Sequence, residues 1–156
     1  MELVREAQPI VDAIADASTV VVDTETSSLF PFRDGKILAG VAVKPLGGES
    51  FYIPFRHKNG GRNAPMRELG VLVEALRGRE LVFHNAKYDL AVLYQEGHDL
   101  AGEDVLDTIV LHRLVEEDEP SYALKSLAKK YVDKDAGKPE LRLKKLMRDN
   151  GWVYVD

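Results

Sequence analysis

The spacing of apolar residues changes several times along the chain, and each change predicts a new element. Val4, Ala7, Ile10, Val11, Ile14 and Ala15 recur three and four apart. That is a helical stripe over 4–17, with Pro9 confining regular helix to its C-terminal side. Thr19 to Asp23, centred on Val20-Val21-Val22, reads as a buried strand. Lys36 to Val43 and Ser50 to Pro54 are two more strands, and the Pro45-Leu46-Gly47-Gly48 turn between them predicts an antiparallel meander built on the first. Pro65 to Leu76 follows as a helix with Gly78 past its end, then Glu80 to Phe83 as a short apolar strand and Ala86 to Glu96 as a helix closed by Gly97. Val105-Leu106 is too brief to assign. Asp107 to Val115, Ser121 to Val132 and Glu140 to Arg148 read as helices, separated by the acidic loop Glu116 to Pro120 and a turn over Asp133 to Pro139, and Asn150-Gly151 ends the last one. Early strands followed mainly by helices predict an α/β layer architecture, with a central mixed sheet, flanking helices and no internal repeat.

Composition narrows this picture. The chain has 156 residues, suited to one domain, and its 45% hydrophobic and 30% charged content is that of a water-exposed globular fold. It has no cysteine, which excludes disulfides and thiolate metal sites and leaves oxygen-rich ions such as Mg²⁺ or Mn²⁺. No N-terminal segment reads as a membrane span or secretory signal, so a cytoplasmic protein with no membrane partner is expected. The net charge of -5 is uneven: residues 1–120 carry 12 basic and 21 acidic side chains, and 121–156 carry 9 and 5. An acidic part that holds cations and a basic part that meets phosphates suit a nucleic-acid partner.

The candidate chemistry starts where the valine run ends, at Asp23-Thr24-Glu25-Thr26. In a strand, residues i and i+2 share a face roughly 7 Å apart. Asp23 and Glu25 therefore repel by about 2 to 3 kcal/mol at an effective dielectric near 20, and a divalent cation reverses that sign. A strand end with a solvated acidic pair is the plainer alternative. His84-Asn85-Ala86-Lys87-Tyr88-Asp89 lies where the later apolar strand turns into a helix, and Asp89 sits one turn above Asn85. If the two strands are neighbours, Asp89 joins the pair as a third carboxylate; otherwise Asn85 is a helix N-cap and Asp89 a favourable first-turn charge.

These segments, together with Leu29, Asp107-Thr108-Ile109 and the Leu124 to Tyr131 run, resemble in order and spacing the DEDD-type 3′→5′ exonucleases. The nearest likeness is to the proofreading domain of bacterial and phage family A DNA polymerases; ribonuclease D is a more distant one. The resemblance implies a ribonuclease-H-like fold and hydrolysis of single-stranded 3′ ends, of DNA first, to nucleoside monophosphates. It implies Asp23, Glu25 and Asp89 as ligands of two Mg²⁺ or Mn²⁺ ions, with Asp23 bridging and Glu25 near the terminal 3′-hydroxyl. Leu29 would wedge against the last base, and Thr26, Asn85 and Tyr88 would help place the strand. A polymerase domain or another replication protein is an implied partner.

One part of the family pattern is missing. The family carries a fourth carboxylate as Tyr-x-x-x-Asp, or with histidine for tyrosine, on a late helix, and Tyr154-Val155-Asp156 has the wrong spacing. The expectation is a single exonuclease-like domain, 1–156, without that last helix. The alternatives are a truncated piece or a binding module of the same fold for nucleic acid or protein. Tyr131 and Asp135 have the literal spacing, but Asp133, Asp135 and Gly137 are turn formers. Asp107 reads as a helix start with a possible supporting role. His57, His84, His98 and His112 show no paired zinc spacing, and His84 borders the expected cleft. The basic side chains from Lys125 to Arg148 could track a phosphate backbone or simply form a solvated face. Gly47-Gly48 and Gly60-Gly61 read as turns.

Overall fold

The computed structural model describes residues 1–57, 62–136 and 138–151. Gly60-Gly61, Gly137 and the Trp152 to Asp156 end lie outside the described residues. Two compact units divide the chain, Met1–Leu111 and His112–Asp156.

The first unit is built on a sheet of six strands: β1 (Glu2–Leu3), β2 (Thr19–Thr26), β3 (Leu38–Pro45), β4 (Phe51–Pro54), β5 (Glu80–Phe83) and β6 (Asp104–Asp107). Their spatial order is β1-β4-β3-β2-β5-β6. β2, β3 and β4 are antiparallel, the meander expected from the turn chemistry, whereas β5 runs parallel to β2 and β6 parallel to β5. β1 pairs in parallel with β4. Among the described residues, four helices lie wholly in this unit: α1 (Gln8–Ile14), α2 (Pro31–Asp34), α3 (Arg67–Leu76) and α4 (Ala86–Gln95). α1 packs on α3 and β3, while α4 lies against β2, β5 and β6. The core between sheet and helices is mainly aliphatic, with Ile10, Ile14, Val20, Ile53, Leu69, Leu72 and Leu81 fully buried beside Phe83.

Several expectations are refined. The first helix is shorter than its stripe, beginning at Gln8 with Pro9 in its opening turn, where the missing proline N–H costs nothing. The first strand continues past Asp23 to Thr26, because β3 stays paired with it from Pro45 to Leu38. Two short elements, β1 and α2, carry no periodic signal in the sequence. Val105-Leu106 lies in β6, an edge strand whose residues are half-buried apart from the exposed Asp104.

α5 (Thr108–Val115) starts directly after β6, one residue later than predicted, and crosses from one unit to the next. The second unit contains α6 (Leu124–Tyr131) and α7 (Lys138–Asp149). α6 ends at Tyr131, and Asp135 lies in the following turn, paired with Lys138 at 2.7 Å. Tyr131 and Asp135 thus share no helix, and the alternative that they supply the fourth-carboxylate motif is excluded for this geometric reason. Tyr131 instead stacks edge-on against His112, with ring centroids 5.4 Å apart. His112 is half-buried between this ring, Tyr122 and Glu119.

Candidate functional site

β2 delivers its side chains in strict alternation. Val20, Val22 and Thr24 face the core, and Val21, Asp23 and Glu25 face the other way, with Asp23 and Glu25 exposed. The parallel pairing with β5 stops at Val21↔Val82, so the β2 edge beyond it is uncovered by sheet. Further along, the pairing with β3 shifts register between Glu25 and Thr26, an irregularity of the kind that bends a strand.

Asp89 fills that open edge. It is 3% exposed, and its Oδ1 accepts from the Thr24 N–H at 2.9 Å and from the Thr24 hydroxyl at 2.6 Å. A helix carboxylate thereby takes the place of a ladder partner and is fixed beside the residue that separates Asp23 from Glu25. The neighbouring-strand condition set by the sequence is met.

The N-terminus of α4 is secured from a distance. Asp107, the last residue of β6, accepts the backbone N–H groups of Asn85 at 3.2 Å, Ala86 at 2.8 Å and Ile109 at 2.8 Å. One carboxylate thus caps two helices. Asn85 makes no side-chain cap; it occupies the left-handed region at φ 76°, which asparagine tolerates better than most residues. Asn85 therefore stands at the N-cap position, as the alternative reading had it, while the capping hydrogen bonds come from Asp107. His84 Nδ1 lies 2.8 Å from the Thr108 hydroxyl, and its charge acts on Asp23.

Thr26 and Tyr88 are joined rather than free. Their hydroxyls are 2.6 Å apart, and they reach the Ser28 carbonyl at 3.0 and 2.7 Å respectively. They anchor the turn that presents Leu29, 61% exposed, next to the exposed Phe30 and Phe32. Asn85 is exposed as well.

The electrostatics match a set of crowded carboxylates. Burial pushes Asp89 up to about 6, and the Asp23 charge adds to this, although both Thr24 hydrogen bonds oppose it. Asp23 is raised by the protein mass around it, offset by His84. Glu25 is raised by the same effect and by Asp23, offset by His57. Such a set favours a cation over an open, doubly charged pair. The donors are all oxygen, which fits Mg²⁺ or Mn²⁺. Among the described residues, no three acidic or histidine side chains already stand close enough to enclose an ion.

Comparisons with known proteins show the family and the fold. The family model described as 3'-5' exonuclease matches residues 4–151. The chain belongs to the 3'-5' exonuclease family. Its resemblance to DEDD-type exonucleases is borne out, as is the ribonuclease-H-like architecture of a mixed sheet with flanking helices. Brucella melitensis NrnC is similar to it over 85% of this chain and 58% of that one, at 26% identity and a TM-score of 0.61. NrnC structures include one bound to pGG and one with bound Mg²⁺. Two further exonuclease structures share the fold at lower identity. Escherichia coli RNase D matches at 16% identity and TM-score 0.59 over 84% of this chain and 33% of that one. The Aedes aegypti Nibbler EXO domain matches at 13% and 0.64 over 88% and 72%. The chain thus spans 58% of the length of NrnC. A comparison with curated proteins finds no match.

Three features of the site escaped sequence reasoning. The Thr24 hydroxyl had a signal, since a threonine on the core-facing parity of a valine strand needs a buried partner. Asp107 as a cap for α4 and Tyr52 near the acidic pair had none, because both depend on contacts between distant elements.

Proposed function

We propose that this chain is a metal-dependent 3′→5′ exonuclease domain spanning 1–156, removing nucleoside monophosphates from single-stranded nucleic acid. Asp23, Glu25 and Asp89 hold Mg²⁺ or Mn²⁺. When bound, two such ions activate a water and stabilise the departing 3′-oxygen of a phosphodiester. The protein's own work is placement and charge balance. Asp89, tied to Thr24, presents its remaining oxygen Oδ2; Asp23 and Glu25 present theirs from the neighbouring strand end. Leu29 lies against the terminal base, on the turn that Thr26 and Tyr88 anchor, and Asn85 flanks the strand.

The observation that carries this reading is the double hydrogen bond from Thr24 to Asp89, which gathers a helix carboxylate onto the acidic strand end. Its substrate side is supported by NrnC, a relative of the same family bound to pGG. The sequence favoured DNA, and the test uses DNA and RNA in parallel. With Mn²⁺ and a 5′-labelled oligonucleotide, the wild type shortens the strand from its 3′ end, and Asp23→Ala does not. Persistent digestion by Asp23→Ala refutes the site.

A second reading is a binding module of the same fold that holds one ion or none. It is favoured by the absence, among the described residues, of a closed three-ligand cluster. Calorimetric titration with Mn²⁺ separates them: two ions support the hydrolase, one or none the module.

A further inference from the structure

Tyr52 lies outside every motif of the sequence, yet the sheet brings it to the acidic pair. In the antiparallel register Asp23 pairs with Ala42 and Ala42 with Tyr52, while Glu25 lies opposite Gly40. Residues in one such row share a face of the sheet. Gly40 offers no side chain across from Glu25, and the Tyr52 ring leans into that space. A Cβ built at Gly40 would come within 2.9 Å of Tyr52 Cε2, and closer still to Cζ and the hydroxyl. The hydroxyl thus occupies the cross-strand position facing Glu25, roughly 5 Å from its Cβ by ordinary strand geometry. A carboxylate two carbons further out can reach it.

His57 holds that hydroxyl in place. Its Nε2 lies 2.5 Å from the Tyr52 oxygen, and the two rings meet edge-on with centroids 5.8 Å apart. With Nε2 as the donor, the phenolic hydrogen is free to point toward Glu25. Both acidic residues act electrostatically on Tyr52, and His57 acts on Glu25, so the four groups share one local field. A ring that merely covered the sheet would need no hydroxyl. Here the hydroxyl is the part seated opposite Glu25.

We propose that Tyr52, held by His57 and admitted by Gly40, is a positioning residue for Glu25, orienting its carboxylate toward the ion and the substrate's terminal hydroxyl. The proposal rests on Glu25 being an ion ligand, as in the function proposed above. Partners that orient a ligating carboxylate are typically worth about 10-fold or more in metal affinity or activity.

The test compares wild type with Tyr52→Phe, Gly40→Ala and His57→Asn in the full chain, with Tyr94→Phe as a control for loss of an exposed tyrosine hydroxyl. Mn²⁺ affinity is read by calorimetry without nucleic acid, and kcat and KM with the 5′-labelled oligonucleotide. Tyr52→Phe and Gly40→Ala are expected to weaken Mn²⁺ binding and lower kcat by about 10-fold, with KM for the oligonucleotide unchanged. His57→Asn shifts both in the same direction, and Tyr94→Phe matches wild type. If Gly40→Ala fails to fold, Tyr52→Phe decides alone, since it keeps the ring. Wild-type Mn²⁺ binding and kcat in Tyr52→Phe overturn the inference while leaving the ion site standing. A wild type that takes up no Mn²⁺ refutes the ion site, and this inference with it.

Discussion

Replacing Thr24 with valine removes one hydrogen bond from a buried carboxylate and almost no volume. In the wild type Asp89 Oδ1 accepts from both the Thr24 hydroxyl, at 2.6 Å, and the Thr24 N–H, at 2.9 Å, and Thr24→Val leaves only the second. A hydrogen bond to a charged group is worth roughly 1.5 to 3 kcal/mol. Its loss should be felt in full, because Thr24 is 8% exposed and Asp89 3%, so water replaces little of it. The cost depends on pH, and its sign follows from Asp89. Its folded-state value of about 6 lies above the ordinary 3.8, so the folded protein binds this proton more tightly than the unfolded chain does. The stabilisation from that proton is complete below pH ~3.8 and lost as pH rises through ~6, a change of about 3 kcal/mol without metal. Thr24→Val raises Asp89 further, because the lost bond favoured the charged form. Urea unfolding without metal should therefore show a loss of about 2 kcal/mol at pH 8 and under about 1 kcal/mol at pH 4.5. A loss below about 0.5 kcal/mol at pH 8, or one equal at both values, refutes the reasoning.

Other consequences are equally open to measurement. Asp107→Ala frees three backbone N–H groups at two helix starts and should cost about 2 to 4 kcal/mol in urea unfolding, with Asp107→Asn recovering part of it. The Glu96 side chain is 1% exposed and bonded twice by Arg56, at 2.5 and 2.8 Å, so Arg56→Ala leaves a buried charge with the exposed Lys36, at 4.0 Å, as its remaining ion-pair partner and should cost about 3 kcal/mol. A loss below about 1 kcal/mol in the same unfolding assay would mean that Lys36 or water takes over the Glu96 charge. Mn²⁺ should raise the melting temperature more at pH 8 than at pH 5, because the Asp89 proton competes with the ion, and an equal rise at both values counts against Asp89 as a ligand. Asp135→Asn should leave oligonucleotide digestion at the wild-type rate, since its carboxylate is paired with Lys138 outside any helix shared with Tyr131.

Legibility in the sequence followed the range of the forces involved. β5 was read to the residue because a short apolar run between Gly78 and the α4 stripe admits one solution. The meander was equally plain from its Pro-Gly turn. β1 was invisible because two residues carry no period, and their strand character comes wholly from pairing with β4. Local spacing makes the Asp23 and Glu25 pair legible, whereas the approach of Asp89 turned on the β2–β5 pairing, which the sequence left as a condition. That Asn85 stands at the N-cap position without making the cap bond itself was not legible, because the acceptor that does so, Asp107, is 22 residues away. Tyr52 was missed for a similar reason, since only the register of three strands reveals that Gly40 leaves room for it.

Everything proposed for this chain depends on an ion sitting between the β2 strand end and the first turn of α4. Anomalous diffraction from a crystal soaked in Mn²⁺ tests that most directly. The expected result is a peak at coordination distance from carboxylate oxygens of both Asp23 and Asp89, with Glu25 facing it and Asp89 Oδ1 still bonded to Thr24. No peak there at saturating Mn²⁺, or Asp89 remaining on Thr24 with both oxygens turned from the metal, would contradict it.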